Sequence, residues 1–308
     1  GYQNEIIQSY RRMGRKQDAI DEVGRLLKDY GKQSAWAQSN SSNPDAVKKA
    51  ADHIERALYD VATAYHNEAR KLGTGRQAEE TYRLAESAYR TYITELPDGK
   101  NAYVMRNNFA EILYDLKKYD EAYVQYMAVV AVDPEGKHSL NGADSAIICA
   151  YKMKEKEEKD GKIQKRKSDT DIEPLELSEW ETKLLEALDN FGKIYPNHKD
   201  AIQYLTESAD LLFEKNRLDE ASERFRNVIA MNPKSKQAMR AAIQITEALA
   251  FRAKSKATSE DFKQAVSDYK ALKDTSKAFF DQQGLGNSKF KKDMFEYYQL
   301  AYLHLIDM

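Results

Sequence analysis

Apolar residues recur along this chain at helical spacing. After Asn43-Pro44, the positions Ala46, Ala50, Ile54, Ala57, Leu58, Val61, Ala64 and Tyr65 step by three and four residues toward Leu72, which lays one apolar stripe along a helix. Asn43 reads as its N-cap, Pro44 as its first residue and Gly73-Thr74-Gly75 as its stop. Ser178 with Glu181, and Thr258 with Asp261, read as capping boxes that open further helices. Gly284-Leu285-Gly286-Asn287 reads as a turn between helices. The same periodicity predicts about a dozen helices and no strand. One segment departs from it: 15 of the 22 residues from Lys152 to Glu173 are charged, eight positive and seven negative. Its middle, about Lys156 to Glu173, is predicted to be an exposed or partly disordered loop.

The pattern also repeats. Shifted by 99 residues, Pro97–Pro134 falls on Pro196–Pro233 without a gap, with 11 of 38 positions identical. Small residues recur at Ala110 and Ala122, then at Ala209 and Ala221. Large apolar residues recur at Phe109, Leu113, Tyr119 and Tyr126, then at Leu205, Leu212, Leu218 and Phe225, and each copy ends on a proline. A weaker copy shows Tyr10, Gly14, Ala19, Val23 and Leu26. Small residues where two helices cross and large ones filling the groove to the next pair are what a tetratricopeptide (TPR) helix–turn–helix of about 34 residues requires. The expected fold is all-α: a TPR-like α-solenoid of antiparallel helix pairs wound as a right-handed superhelix. It divides into an N-terminal array over 1–151, a charged loop over 152–176 and a C-terminal array over 177–308 continuous with the first. Phe295, Tyr298, Ala301, Tyr302 and Leu305 mark one side of a final helix, and the body of the fold is expected to cover that side.

Composition narrows the function classes. Thirteen Gly and six Pro in 308 residues are too few turn-makers for a many-stranded β fold. No apolar run approaches the ~18 residues of a membrane span. The net charge is −2, with 48 basic and 50 acidic residues, so a general nucleic-acid surface is not expected. The single cysteine excludes an intrachain disulfide and a multi-cysteine zinc site.

Catalytic chemistry is not evident. None of the five histidines lies in an HExxH, and no pair is spaced i, i+4. His66 reads as a packed or capping side chain, and Cys149, within Ala146-Ile147-Ile148-Cys149-Ala150, as a buried inert thiol. There is no phosphate-binding GxxxxGK[ST] or GxGxxG. The chain is therefore expected to be no enzyme, with no cofactor and no metal.

The first helix of each TPR lines a concave groove, and that register names the candidate surface. In the first full copy it presents Asn107, Asn108, Glu111, Tyr114 and Asp115, and in the second Thr206, Glu207, Asp210, Phe213 and Glu214. Acidic residues with aromatic interleaving suit a basic or polar protein segment with apolar anchors, and they repel the phosphates of nucleic acid. The repeats are acidic as units, whereas residues 234–308 carry 13 basic and nine acidic residues.

The ordered segments Tyr10-Arg11-Arg12-Met13-Gly14-Arg15, Ser34-Ala35-Trp36-Ala37, Tyr65-His66-Asn67-Glu68-Ala69, Ala102-Tyr103-Val104-Met105-Arg106 and Asp133-Pro134-Glu135-Gly136-Lys137 resemble the TPR proteins of adventurous gliding motility in myxobacteria and related predatory deltaproteobacteria. The resemblance covers residues 5–150 best. It implies a periplasmic or outer-membrane-associated scaffold of the cell envelope that binds other proteins; a cytoplasmic setting is the alternative. A reading of a different class is a regulatory or targeting TPR module attached to a catalytic domain outside these residues.

Overall fold

The computed structural model describes residues 2–166 and 171–308. Among them it places fourteen α-helices and no strand. The chain falls into two compact units, Gly1–Cys149 and Ala150–Met308.

Unit 1 holds α1 (Tyr2–Arg12), α2 (Lys16–Tyr30), the short α3 (Ala35–Ser39), α4 (Pro44–Leu72), α5 (Arg76–Glu95), α6 (Ala102–Asp115) and α7 (Tyr119–Val132), and it includes the start of α8 (Ser139–Lys159). Each long helix packs on its sequence neighbour: α1 on α2, α4 on α5, α5 on α6, α6 on α7. Asn43 Oδ1 accepts from Ala46 N and Pro44 is the first residue of α4, as the cap signals required. Glu55 of α4 ties the next turn down, since its Oε1 accepts from Tyr92 Oη at 2.7 Å and from the backbone and side chain of Asn101 at 3.1 and 2.9 Å.

Unit 2 holds the end of α8, then α9 (Glu179–Ile194), α10 (Ala201–Glu214), α11 (Leu218–Met231), α12 (Lys236–Thr258), α13 (Phe262–Asp281) and α14 (Ser288–Asp307). The 99-residue shift maps α6–α7 onto α10–α11 end for end. Ala110, Ala122, Ala209 and Ala221 are all fully buried, as the small positions of closely packed helix pairs require. The fold is a TPR-like helical repeat.

The helix pairs close with one recurrent turn. After α1, α6, α8, α10 and α12 a single residue takes positive φ: Gly14, Lys117, Gly161, Asn216 and Glu260. The next N–H reaches back five residues, as in Lys118 N to Leu113 O at 2.8 Å and Arg217 N to Leu212 O at 2.9 Å. This is the Schellman closure, which satisfies carbonyls that the helix end leaves open. At Lys117 and Glu260 it forms without the glycine or asparagine that signals it in a sequence.

The expectations fail at three places. The charged segment is not a loop from its start, because α8 continues to Lys159. Nor are its described residues merely exposed. Leu175 N donates to Lys215 O at 2.9 Å, and Asn216 Nδ2 donates to the carbonyls of Asp171 and Glu173 at 2.8 and 3.0 Å. Lys215 Nζ donates to Gln164 O at 2.8 Å and pairs at 2.8 Å with Glu181, both side chains almost wholly buried. Glu181 Oε2 also accepts from Ser178 N, which completes the expected capping box. Part of the segment, 167–170, lies outside the described residues. Secondly, Thr258 ends α12, and Asp261 is the N-cap of α13 through Gln264 N. Thirdly, the expected covered side of α14 is split. Ala301 is buried and Leu305 packs on the core beside Phe290, Met294 and Tyr297. Phe295 and Tyr302 are exposed, and with the half-buried Tyr298 they extend a row of rings from Phe280 with spacings of 5.9, 6.2 and 6.4 Å. Two apolar stripes run along this helix, and α12 and α13 take only one of them.

Lys117→Gly is expected to stabilise the chain by about 0.5–1 kcal/mol, by relieving the left-handed backbone of a residue with a Cβ; an unchanged urea midpoint would contradict it. Lys215→Met should cost about 3–5 kcal/mol by stranding the buried Glu181 charge. Pairing it with Glu181→Gln should restore more than half of that loss in the same urea measurement.

Candidate interaction site

In unit 1 the candidate residues lie on α6, flanked by α4 and α5. Asn107 is buried, and its Nδ2 donates to Glu111 Oε1 at 3.0 Å. Glu111 pairs with Arg70 of α4 at 2.6 Å. Burial raises the pKa of the Tyr89 hydroxyl and, with Asp115 as a lesser cause, that of Tyr82. Tyr114 rests edge-on against Tyr119, with centroids 5.2 Å apart. The face therefore includes a cation that register on α6 alone did not reveal. Arg70 neutralises Glu111, and Asn107 orients it from below. Asp115, exposed at the end of α6, leaves the rest of this face acidic.

His66 sits beneath this cluster. It is 4 % exposed, and its ring stands edge-on to Tyr89 with Nδ1 3.3 Å from the Tyr89 hydroxyl. Burial, with Arg70 as a lesser cause, pushes its pKa down to about 4. The imidazole is thus a neutral packing group, in keeping with its packed reading. Cys149 is buried as well, and desolvation pushes its thiol up to about 12, which keeps it protonated and unreactive at neutral pH.

In unit 2 the candidates lie on α10, between the end of α8 and α12. Thr206 is buried, and its hydroxyl donates back to Ile202 O at 2.7 Å, so it belongs to the packing and not to the surface. Glu207 accepts from Tyr151 Oη at 2.5 Å and from Gln203 Nε2 at 2.9 Å. Asp210, the repeat equivalent of Glu111, pairs with Arg240 of α12 at 2.8 Å. Burial raises its pKa despite that arginine, and Glu214 and Glu207 add to the rise. Burial likewise raises Glu247 of α12. Phe213 lies 6.2 Å from Phe251 of α12, and Glu214 is exposed at the end of α10. Tyr151, Arg240, Glu247 and Phe251 are the members that the repeat register missed. They come from α8 and α12, where the 99-residue identity has faded.

Among the described residues no group of three His, Cys, Asp or Glu side chains is placed to hold a metal ion. No helix among them is long and apolar enough to cross a membrane.

No protein-family model and no curated protein sequence matches the chain. Among solved structures it is similar to a double mutant of MamA RS-1, with 12% identity over 70% of this chain and 95% of that one and a TM-score of 0.32. It is similar to PilF of Pseudomonas aeruginosa, with 15% identity over 98% and 96% and a TM-score of 0.29. The TPR domain of P58(IPK) shows 14% identity over 98% and 79%, with a TM-score of 0.24. Likeness at these scores carries no argument, and the repeat assignment stands on the chain's own helix pairs.

The state of His66 sets a pH dependence. Its folded pKa is below its unfolded value, so the unfolded chain takes up the proton first, and stability falls as pH drops from about 6.5 toward about 4. His66→Gln should flatten that fall in urea titrations at pH 7, 6 and 5. The His66 proton resonance should not titrate until below about pH 5; a midpoint near 6.5 would contradict this.

Proposed function

We propose that this protein is a non-enzymatic scaffold that binds a segment of another protein through the exposed faces of its first-of-pair helices. The observation that carries the reading is the α10 face. Glu207, Asp210 and Glu214 fall at i, i+3 and i+7 on one side of the helix, interleaved with Phe213 and bordered by Arg240 and Phe251 of α12. Holding three carboxylates together while partly desolvating Asp210 costs stability, and a bound cation offsets that cost. The aromatic rings supply apolar area beside the charge, as peptide-binding surfaces commonly do. A basic segment with apolar anchors is the complementary partner. The setting in the bacterial cell envelope, of gliding-motility or envelope-assembly type, is part of the same proposal. It is supported by the order of segments over residues 5–150.

The test is affinity capture from envelope extracts with wild type and with Glu207→Lys/Glu214→Lys. Reversal of two acids on the outer helix α11, Glu220→Lys/Glu223→Lys, serves as the control. Recovery of the partner should fall about tenfold or more for the first pair only, since like-charge juxtaposition opposes docking. Equal recovery of every captured protein by the first pair and the wild type would overturn the reading.

A further inference from the structure

Leaving α8, the chain turns at Gly161 and crosses the C-terminal end of α10 with Lys162–Arg166. It is held there by Lys215 Nζ, which donates to Gln164 O at 2.8 Å, and by Arg166. The guanidinium carbon lies 5.6 Å from the Phe213 centroid and 5.7 Å from that of Phe251, and Nη2 donates to the Phe213 carbonyl at 2.9 Å. Ile163, Arg166, Phe213, Glu214 and Lys215 line a cavity of about 430 Å³ at this place. The face that attracts a basic segment with an apolar neighbour thus already carries one, drawn from its own chain.

Helix capping alone does not account for the contact. The Phe213 carbonyl already accepts from Asn216 N at 3.1 Å within the turn that closes α10, so that carbonyl has a partner without Arg166. What Arg166 adds is a planar cation addressed by two aromatic rings. The rings are tilted 44° to one another with centroids 6.2 Å apart, and one guanidinium faces both. Guanidinium is weakly hydrated and stacks on ring faces, whereas a lysine ammonium is a strongly hydrated point charge. The Phe213 carbonyl takes one of the Arg166 N–H groups.

We infer that the Phe213–Phe251 pair is an arginine-recognition site on the α10–α12 face, with Arg166 as its internal occupant where an arginine of a basic partner segment docks. This rests on the partner-binding reading of that face and adds the residue it selects. A partner must displace the strap, so its apparent affinity is lowered by the fraction of molecules in which the strap is docked.

The test uses the full chain and a fluorescein-tagged peptide of sequence Gly-Lys-Ile-Gln-Lys-Arg, the sequence of residues 161–166, followed by fluorescence anisotropy. Arg166→Ala should bind the peptide about tenfold or more tightly than wild type, by release of the occupied fraction. Arg166→Lys should lie between them. Adding Phe251→Leu, which keeps apolar volume and removes one ring, should abolish the gain. Circular dichroism checks that each variant keeps its helices. Equal binding to wild type and Arg166→Ala, lost on Glu207→Lys/Glu214→Lys, overturns the arginine site and leaves the scaffold reading standing. A gain that survives Phe251→Leu overturns it too. No binding to any of the chains overturns the arginine site, while the scaffold reading is decided by the affinity capture.

Discussion

Close contact between paired helices through alanine is the constraint from which the rest of the structure follows. Ala110 and Ala122 in the packed pair α6–α7, and Ala209 and Ala221 in α10–α11, are fully buried, and such small side chains let paired helices approach closely. That approach fixes how the second helix lies on the first, and so which face of the first is left for solvent or a partner. The connection must then be short. The Schellman turn provides it by spending one residue in the left-handed region and recovering carbonyls the helix end would otherwise leave bare. Substituting a larger residue at any of these alanines would spread the pair and shift every contact built on it.

The charge arrangement depends on the same geometry. Glu111 and Asp210 occupy one repeat position, and each meets an arginine from a neighbouring first-of-pair helix, Arg70 of α4 or Arg240 of α12. Those helices are adjacent only because the second helix of each pair packs behind them. Pairing tames some of the carboxylates and leaves others, such as Glu214 and Glu247, to define the character of the surface. Lys215 and Asn216 do a different job at the end of α10. They hold the described parts of the charged segment by backbone and side-chain bonds, so a run that is polar throughout becomes part of the packing.

Much of the architecture was legible in the chain. Periodicity and caps located α4 at both ends, and the 99-residue shift located α6, α7, α10 and α11 together, because each signal is local or is repeated. Failures came where a tertiary partner decides the outcome. Lys117 and Glu260 take a glycine's conformation because the turn between packed helices demands it. Asn107 and Thr206 are polar yet buried, since helical register says which side a residue faces and not how closely its neighbours cover it. Phe295 and Tyr302 are apolar yet exposed because α12 and α13 cover only one stripe of α14.

By itself the sequence determined helix content, the repeat and its small and large positions, the absence of a long apolar span and an acidic, aromatic first-helix face. Those properties depend on residue type and spacing, which the chain carries locally. Only the tertiary structure decided that Arg70 faces Glu111, that Phe251 joins Phe213 and that Arg166 lies over both rings. These pairings join residues far apart in the chain whose helices carry no shared repeat signature. Their meeting is set by how the helices stack, which no local pattern encodes.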